Sequence, residues 1–266
     1  MVDMAGVALK PAASGRVAGD NDQQPWNKFD PWSYLEANYR KLHDEDQSIM
    51  ERIADFFATA RMRPDPRHAL DVGTGTNLYP LLAMMPGCHK MTLVERAPAN
   101  LSWLRSEIAD FGETWDPYWE ILVNQRSSYY HQVRNPRSWL SSLAEVKRGN
   151  IFTLPNGTYD IGTMFFVAES ITARRLEFER AIQRFVGALR PYAPFAAAFV
   201  KNSKGYTVAG YKYAAVAVDE NDVRRCLAPV TNGLNIELIP TGSEPFRDGY
   251  DGLILATGYA GRHRGK

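Results

Sequence analysis

The stretch Ala69-Leu70-Asp71-Val72-Gly73-Thr74-Gly75-Thr76-Asn77-Leu78-Tyr79 constrains this chain more than any other. An apolar run ends in an acid, turns through Gly-x-Gly and enters a segment whose apolar residues, through Leu81 and Met84, keep helical spacing. Glycine reaches left-handed backbone angles freely and has no Cβ, so this turn lets backbone N–H groups approach a ligand closely. A strand feeding a helix over such a turn is the opening unit of a parallel α/β sheet.

The rhythm on both sides agrees. Apolar runs predict strands over 68–72, 90–95, 159–167, 195–200, 235–239 and 253–259. Between them, Leu101, Leu104, Ile108 and Phe111 recur at helical spacing, as do Leu176, Ile182, Phe185 and Leu189, and 219–227 reads as a further helix. Alternation of this kind implies a mostly parallel sheet covered on both faces, with the last two strands as an antiparallel pair at or near one edge. Ahead of the turn, Ile49, Ile53, Phe56, Phe57 and Ala60 predict a helix capped by Asp44, with Gln47 completing a capping box. Arg63-Pro64-Asp65-Pro66 ends it.

Length and composition narrow the class. At 266 residues, 45% hydrophobic and 23% charged, the chain suits one α/β domain with an added flank. Residues 1–25 lack periodicity and are expected to form a disordered tail whose deletion is nearly neutral. A single domain is expected over 26–266, with an N-terminal cap over 26–62 and an insertion over 114–147. The insertion carries Trp115, Tyr118, Trp119, Tyr129, Tyr130 and Trp139 beside His131, aromatics that either line a substrate pocket or pack the insertion down. Lys+Arg is 31 against 30 Asp+Glu, so no basic excess calls for nucleic acid. Cys88 and Cys226 form no metal-binding or disulfide pattern. Asp3 interrupts any secretory leader, and no run approaches about 18 apolar residues, so a cytoplasmic protein with no membrane partner is expected.

Glu95 ends the second strand, 20 positions after Gly75, where a carboxylate can accept both hydrogen bonds of a ribose diol. A dinucleotide fold wants a third glycine where this chain has Leu78, and no Tyr-x-x-x-Lys pair is present, which counts against an NAD-dependent oxidoreductase. S-adenosylmethionine has no phosphates to cradle and suits Asp71, the Gly-x-Gly turn and Glu95 better. The other alternative is an inactive S-adenosylmethionine-binding protein that acts as a partner or regulator.

Three segments carry a family resemblance. They are Phe29-Asp30-Pro31-Trp32-Ser33-Tyr34-Leu35-Glu36-Ala37-Asn38-Tyr39, the turn from Asp71 to Tyr79, and Asn100-Leu101 with Trp103-Leu104. The chain resembles the nicotinamide/phenylethanolamine/thioether N- and S-methyltransferases. The resemblance implies a Rossmann-like, doubly wound, mostly parallel seven-stranded sheet with an antiparallel edge strand and an N-terminal helical cap. It implies S-adenosyl-L-methionine as cofactor and assigns to that site Tyr34, Tyr39, Asp71, Gly73, Thr74, Gly75, Tyr79, Glu95, Arg96, Asn100, Asn150, Ile151 and Phe165. Asn150 stands where the family often has Asp near the adenine, and its carbonyl oxygen is expected to take the exocyclic amine. Phe165 stands where the family has a small polar residue.

On the acceptor side the resemblance assigns Tyr206, and Glu169 as a substrate-binding and catalytic acid at the mouth of the pocket; the alternative for Glu169 is a helix-start acid stabilised by the helix that follows. Asp248 and Asp251 are weaker candidates, and Phe199 and Ala214-Ala215 replace polar residues of the nicotinamide enzymes. The expected reaction is in-line methyl transfer to N, O or S of a small-molecule acceptor, driven by proximity and needing no metal. A monomer or homodimer is expected.

Overall fold

The computed structural model describes residues 19–64, 67–241 and 251–262. Its strands are β1 (Arg67–Val72), β2 (Cys88–Glu95), β3 (Ala144–Arg148), β4 (Ile161–Phe165), β5 (Pro194–Val200), β6 (Tyr206–Val208), β7 (Tyr211–Tyr213), β8 (Thr231–Ile239) and β9 (Leu253–Ala260). Seven of them form one sheet in the order β3-β2-β1-β4-β5-β9-β8. Strands β1 to β5 run parallel, and β9 runs antiparallel between β5 and the edge strand β8. The near-continuous apolar runs of β4 and β5 follow from this position, since every residue of both is buried.

The helices are α1 (Pro31–Asn38), α2 (Asp44–Thr59), α3 (Tyr79–Met84), α4 (Pro98–Glu107), α5 (Asp116–Gln125), α6 (Ser127–Tyr130), α7 (Pro136–Leu143), α8 (Arg175–Ala188) and α9 (Glu220–Leu227). One core joins the sheet to α2, α3, α4 and α5 through Ile49, Ile53, Leu82, Leu104 and Leu122. The other joins the opposite face to α8 and α9 through Phe178, Ile182, Phe185 and Val223. The sheet is thus doubly wound. Among the described residues no helix is long and apolar enough to cross a membrane.

Both ends of α2 depart from the sequence expectation. The capping box at Asp44 does not form: His43 is the N-cap of α2 and makes no side-chain capping bond, while Gln47 donates to Glu51. Asp44, Glu45 and Asp46 instead occupy the first turn, where the helix dipole favours acids. The true side-chain cap lies earlier, where Asp30 accepts from Ser33 N at 2.7 Å with Pro31 at the first position of α1. Asp65 and Pro66, expected to end α2, lie outside the described residues, and α2 already stops at Thr59.

The segment 19–25, expected to be unstructured, is packed. Asn21 is 2% exposed and Gln24 5%. Gly19 O accepts from Ala173 N and Thr172 Oγ1, Asn21 N donates to Glu177 Oε2 at 3.0 Å, and Gln24 Oε1 accepts from Ala214 N at 3.0 Å. Ion pairs join Asp20 to Arg174 and Asp22 to Arg96. These partners lie far along the chain and are polar, so no local periodicity announces them.

The insertion folds as α5, α6 and α7 and supplies the edge strand β3, whose alternating, solvent-facing residues hide it from an apolar-run reading. Most of its aromatics pack inward, while Trp139 stays exposed. Trp115, Tyr118 and Tyr130 are fully buried, and Tyr118 stacks on Tyr79 at 5.7 Å and donates to Tyr39 O. They fasten the insertion to α3 and to the N-terminal cap. The hairpin β6–β7 was also not anticipated; it turns at Ala209 and Gly210, both at positive φ.

Candidate functional site

A cleft of about 760 Å³, counted with its open mouth, lies beyond the carboxyl ends of β1, β2 and β4. This is where strand order reverses between β1 and β4, the usual ligand position in a doubly wound sheet. Its floor is the glycine turn. Gly73 sits at φ +65°, donates to Val94 O at 2.7 Å, and has no room for a side chain, since a Cβ would meet Val167 Cγ2 at 2.6 Å. Gly75 sits at φ +56° and donates to Glu95 Oε2 at 2.9 Å.

Glu95 is the acid at the centre of the cleft. Its Oε1 accepts from Arg96 N and Ala97 N, each at 2.6 Å. Burial pushes its pKa up, and the N–H groups of Ala97, Gly75 and Arg96 together with the Asn100 amide pull it back toward the ionised form. Nearby, Thr76 Oγ1 and Asn100 Oδ1 are buried polar atoms of cleft-lining residues with no hydrogen-bond partner among the described residues. Buried polar atoms are normally satisfied, so two orphans around one cavity point to a polar ligand.

Most residues expected at the cofactor site meet here. Tyr34, Tyr39, Gly73, Thr74, Gly75, Glu95, Arg96, Asn100, Asn150, Ile151 and Phe165 all line the cleft, and so does Tyr206 from β6. Tyr34 and Tyr206 face each other edge to face at 6.3 Å. Two expected residues sit behind the wall. Asp71 is buried under the turn and accepts from Thr163 Oγ1 at 2.5 Å. Burial raises its pKa to about 7, the hydroxyls of Thr163 and Thr74 lower it, and Glu95 raises it further. Tyr79 is buried as well and supports Tyr39 and Phe165 by edge contacts at 6.1 and 5.6 Å.

Glu169 departs furthest from expectation. It does not line the cleft mouth but is 0% exposed, with Oε1 accepting from Val200 N at 2.9 Å and from Ser170 Oγ at 3.1 Å. Its backbone carbonyl takes Val216 N. A carboxylate buried this deeply is held by donors, and these tie the loop after β4 to the end of β5. Ser170, not Glu169, reaches the cavity. Asp251 accepts from Asn202 Nδ2 at 2.6 Å, and Asp248 lies outside the described residues. Phe199 is buried against Phe178.

Sequence reasoning misses Asn21, Trp26, Phe166 and Ser170, all four of which line the cleft. Phe166 has φ +59°, which a bulky residue rarely adopts, and its N–H is bonded to Ala198 O at 2.7 Å. No sequence pattern marks such a position.

Asp46, under the cap, carries a testable pH signature. Burial raises its pKa from 3.8 to about 7, the Tyr79 hydroxyl lowers it and Glu45 raises it. An acid whose folded pKa is raised holds its proton more tightly when folded, so its presence lowers stability as pH climbs from 3.8 to about 7. Asp46→Asn is therefore expected to gain stability relative to wild type between pH 5 and pH 8 in urea unfolding. A difference that stays constant or shrinks with pH would contradict the assignment.

The profile of the NNMT/PNMT/TEMT family matches residues 20–256. Phenylethanolamine N-methyltransferase of Macaca mulatta is 23% identical over 239 residues, covering 83% of this chain and 82% of that protein. The Sus scrofa enzyme of the same name is 22% identical over 251 residues, covering 85% and 86%. Among solved structures, the [4+2]-cyclase SpnF aligns with TM-score 0.54 at 14% identity, covering 92% of this chain and 97% of that one. The N-methyltransferase NodS from Bradyrhizobium japonicum WM9, in complex with S-adenosyl-L-homocysteine, aligns with TM-score 0.50 at 13% identity, covering 89% and 95%. At those identities the structural likeness speaks for the fold alone, and a fold hosts several chemistries.

Proposed function

The chain belongs to the NNMT/PNMT/TEMT family, and on that premise we propose that its cleft binds S-adenosylmethionine and serves methyl transfer to nitrogen, oxygen or sulfur of a small-molecule acceptor. The observation that carries this reading is the pairing of Glu95 with the Gly73–Gly75 turn in one cavity edged by orphaned polar atoms. When bound, the cofactor supplies a methyl group already activated by its sulfonium. The protein's task is then to orient and to exclude water.

The roles divide along the cleft. Glu95 takes the ribose hydroxyls, with Asn100 beside it. The turn residues Gly73 and Thr74 and the cap residues Tyr34 and Tyr39 enclose the amino-acid end. Arg96, Asn150 and Ile151 border the base, and Phe165 closes the inner wall. Tyr206 presents its ring to the acceptor. Asp71 and Tyr79 act from behind, holding the turn and the cap. Glu169 is a positioning residue that works through Ser170 and Val200 N. We place the reaction in the cytoplasm, in keeping with two cysteines that form no disulfide.

Calorimetric titration is expected to give a clear heat with S-adenosylhomocysteine and none with NAD. The opposite pattern would remove the proposal. Glu169→Gln retains an oxygen for Val200 N and is expected to leave S-adenosylhomocysteine affinity within about threefold of wild type. Glu169→Ala orphans two donors and is expected to lower stability by roughly 2 kcal/mol, or about 4–8 °C in melting temperature. A large loss of cofactor affinity in Glu169→Gln would instead put this carboxylate against the cofactor.

A further inference from the structure

Two side-chain amides meet at the base end of the cleft, and donor-only groups fix both of them. Asn150 Oδ1 lies 3.1 Å from Phe152 N, where it caps the short turn Ile151–Thr153. A backbone N–H can only donate, so the Asn150 atom facing it must be the oxygen. The second acceptor direction of that oxygen is taken by Asn21 Nδ2 at 3.4 Å. Asn21 is oriented in the same way. The Trp26 indole N–H, also donor-only, bonds Asn21 Oδ1 at 3.1 Å and Asn21 O at 2.8 Å, which turns the Asn21 amide nitrogen toward Asn150. With both lone pairs of Asn150 Oδ1 committed, the group it has left for a ligand is its NH2.

We infer that the chain Trp26–Asn21–Asn150 presents a hydrogen-bond donor to the purine edge, so that Asn150 binds a ring nitrogen and not the exocyclic amine. This rests on the cofactor reading above and reverses the role expected for the Asn150 carbonyl. An aspartate at this position would cap Phe152 N with one oxygen and offer the other to an amine. The asparagine does the first and cannot do the second. Asn21 is the positioning residue: it touches Asn150 and fills the second acceptor direction of its oxygen, which Phe152 N already holds in place.

The consequence is a loose reading of position 6 of the base. Adenine carries a donor amine there, and its 6-deamino analogue, in which purine replaces adenine, lacks the amine and keeps the ring-nitrogen acceptors. Calorimetry with S-adenosylhomocysteine and its 6-deamino analogue on the full chain measures this directly. Wild type is expected to bind the two within about threefold of each other. Asn150→Asp is expected to favour the adenine ligand by about 30-fold, the scale of one mismatched polar contact. Asn21→Asp withdraws the donor that fills the second acceptor direction of Asn150 Oδ1 while Phe152 N still holds that oxygen, and the freed direction becomes available to the exocyclic amine, so it too is expected to raise the preference for adenine, by about fivefold or more. A merely structural Asn21 would change both affinities equally and leave their ratio alone.

An unchanged ratio in Asn150→Asp overturns the donor assignment, and an unchanged ratio in Asn21→Asp overturns the relay. Should Asn21→Asp fail to fold, the Asn150→Asp ratio still decides the base contact. Wild type that binds neither ligand would defeat the cofactor reading itself, an outcome distinct from binding with the wrong ratio.

Discussion

Glu95→Ala is expected to weaken S-adenosylhomocysteine binding by at least 100-fold and to lower the melting temperature by about 6–12 °C. A strand-end acid that only faced a ligand would leave the fold untouched. Glu95 also accepts from Gly75 N, Arg96 N and Ala97 N, so it closes the glycine turn onto the end of β2. Removing it strands three backbone donors in a buried place. Water entering the vacated volume satisfies some of them, which leaves a net loss of roughly 3 kcal/mol. The ribose loses its acceptor at the same time. Glu95→Gln keeps one acceptor oxygen and points an NH2 at the remaining donors, so it should fall between. Thermal melts and calorimetry on the two variants check this, and an alanine variant that melts with wild type would show that the turn closes without the carboxylate.

Removal of the strap 19–25 is the second large effect. A chain that begins at Trp26 is expected to melt about 5–10 °C below one that begins at Gly19 and to bind S-adenosylhomocysteine at least tenfold more weakly. The loss comprises two buried amides, Asn21 and Gln24, and the ion pair of Asp22 with Arg96. Gln24 alone holds the backbone of Ala214, next to the β6–β7 hairpin that brings Tyr206 to the cleft. The exposed ion pair adds little stability by itself, so most of the effect is carried by the buried bonds. Equal melting and equal affinity of the two chains would make the strap an ornament of the fold.

The difference between this result and the sequence expectation is instructive. Strands β1, β2, β4, β5 and β9 are legible because burial on both faces demands continuous apolar runs, and the glycine turn is legible because its backbone angles exclude other residues. The strap is not, because Asn21 is ordered by Glu177 and Gln24 by Ala214, 156 and 190 positions away. Strand β3 escapes notice for the opposite reason: as a solvent-facing edge it needs no apolar run. Glu169 shows the limit most clearly. Its place after β4 is readable, but whether its carboxylate faces a cavity or a backbone amide depends on where β5 ends, which no local pattern encodes. Asn150 is similar, since residue type says that an amide is present and only its neighbours say which end is offered.

Phe166 holds a consequence for anyone who would improve this protein. Its backbone occupies the conformation that glycine suits best, at about 1–2 kcal/mol above a relaxed alternative. Glycine would relieve that strain, but it would also remove a phenyl ring packed against the core, a loss at least as large as the relief. The phenyl ring is also part of the cavity wall, beside Phe165 at 6.0 Å, and a smooth backbone would come with a breach in that wall. Selection for heat tolerance and selection for turnover therefore favour the same ring at this position, and variants screened for hardiness alone should keep an aromatic here despite its strained backbone.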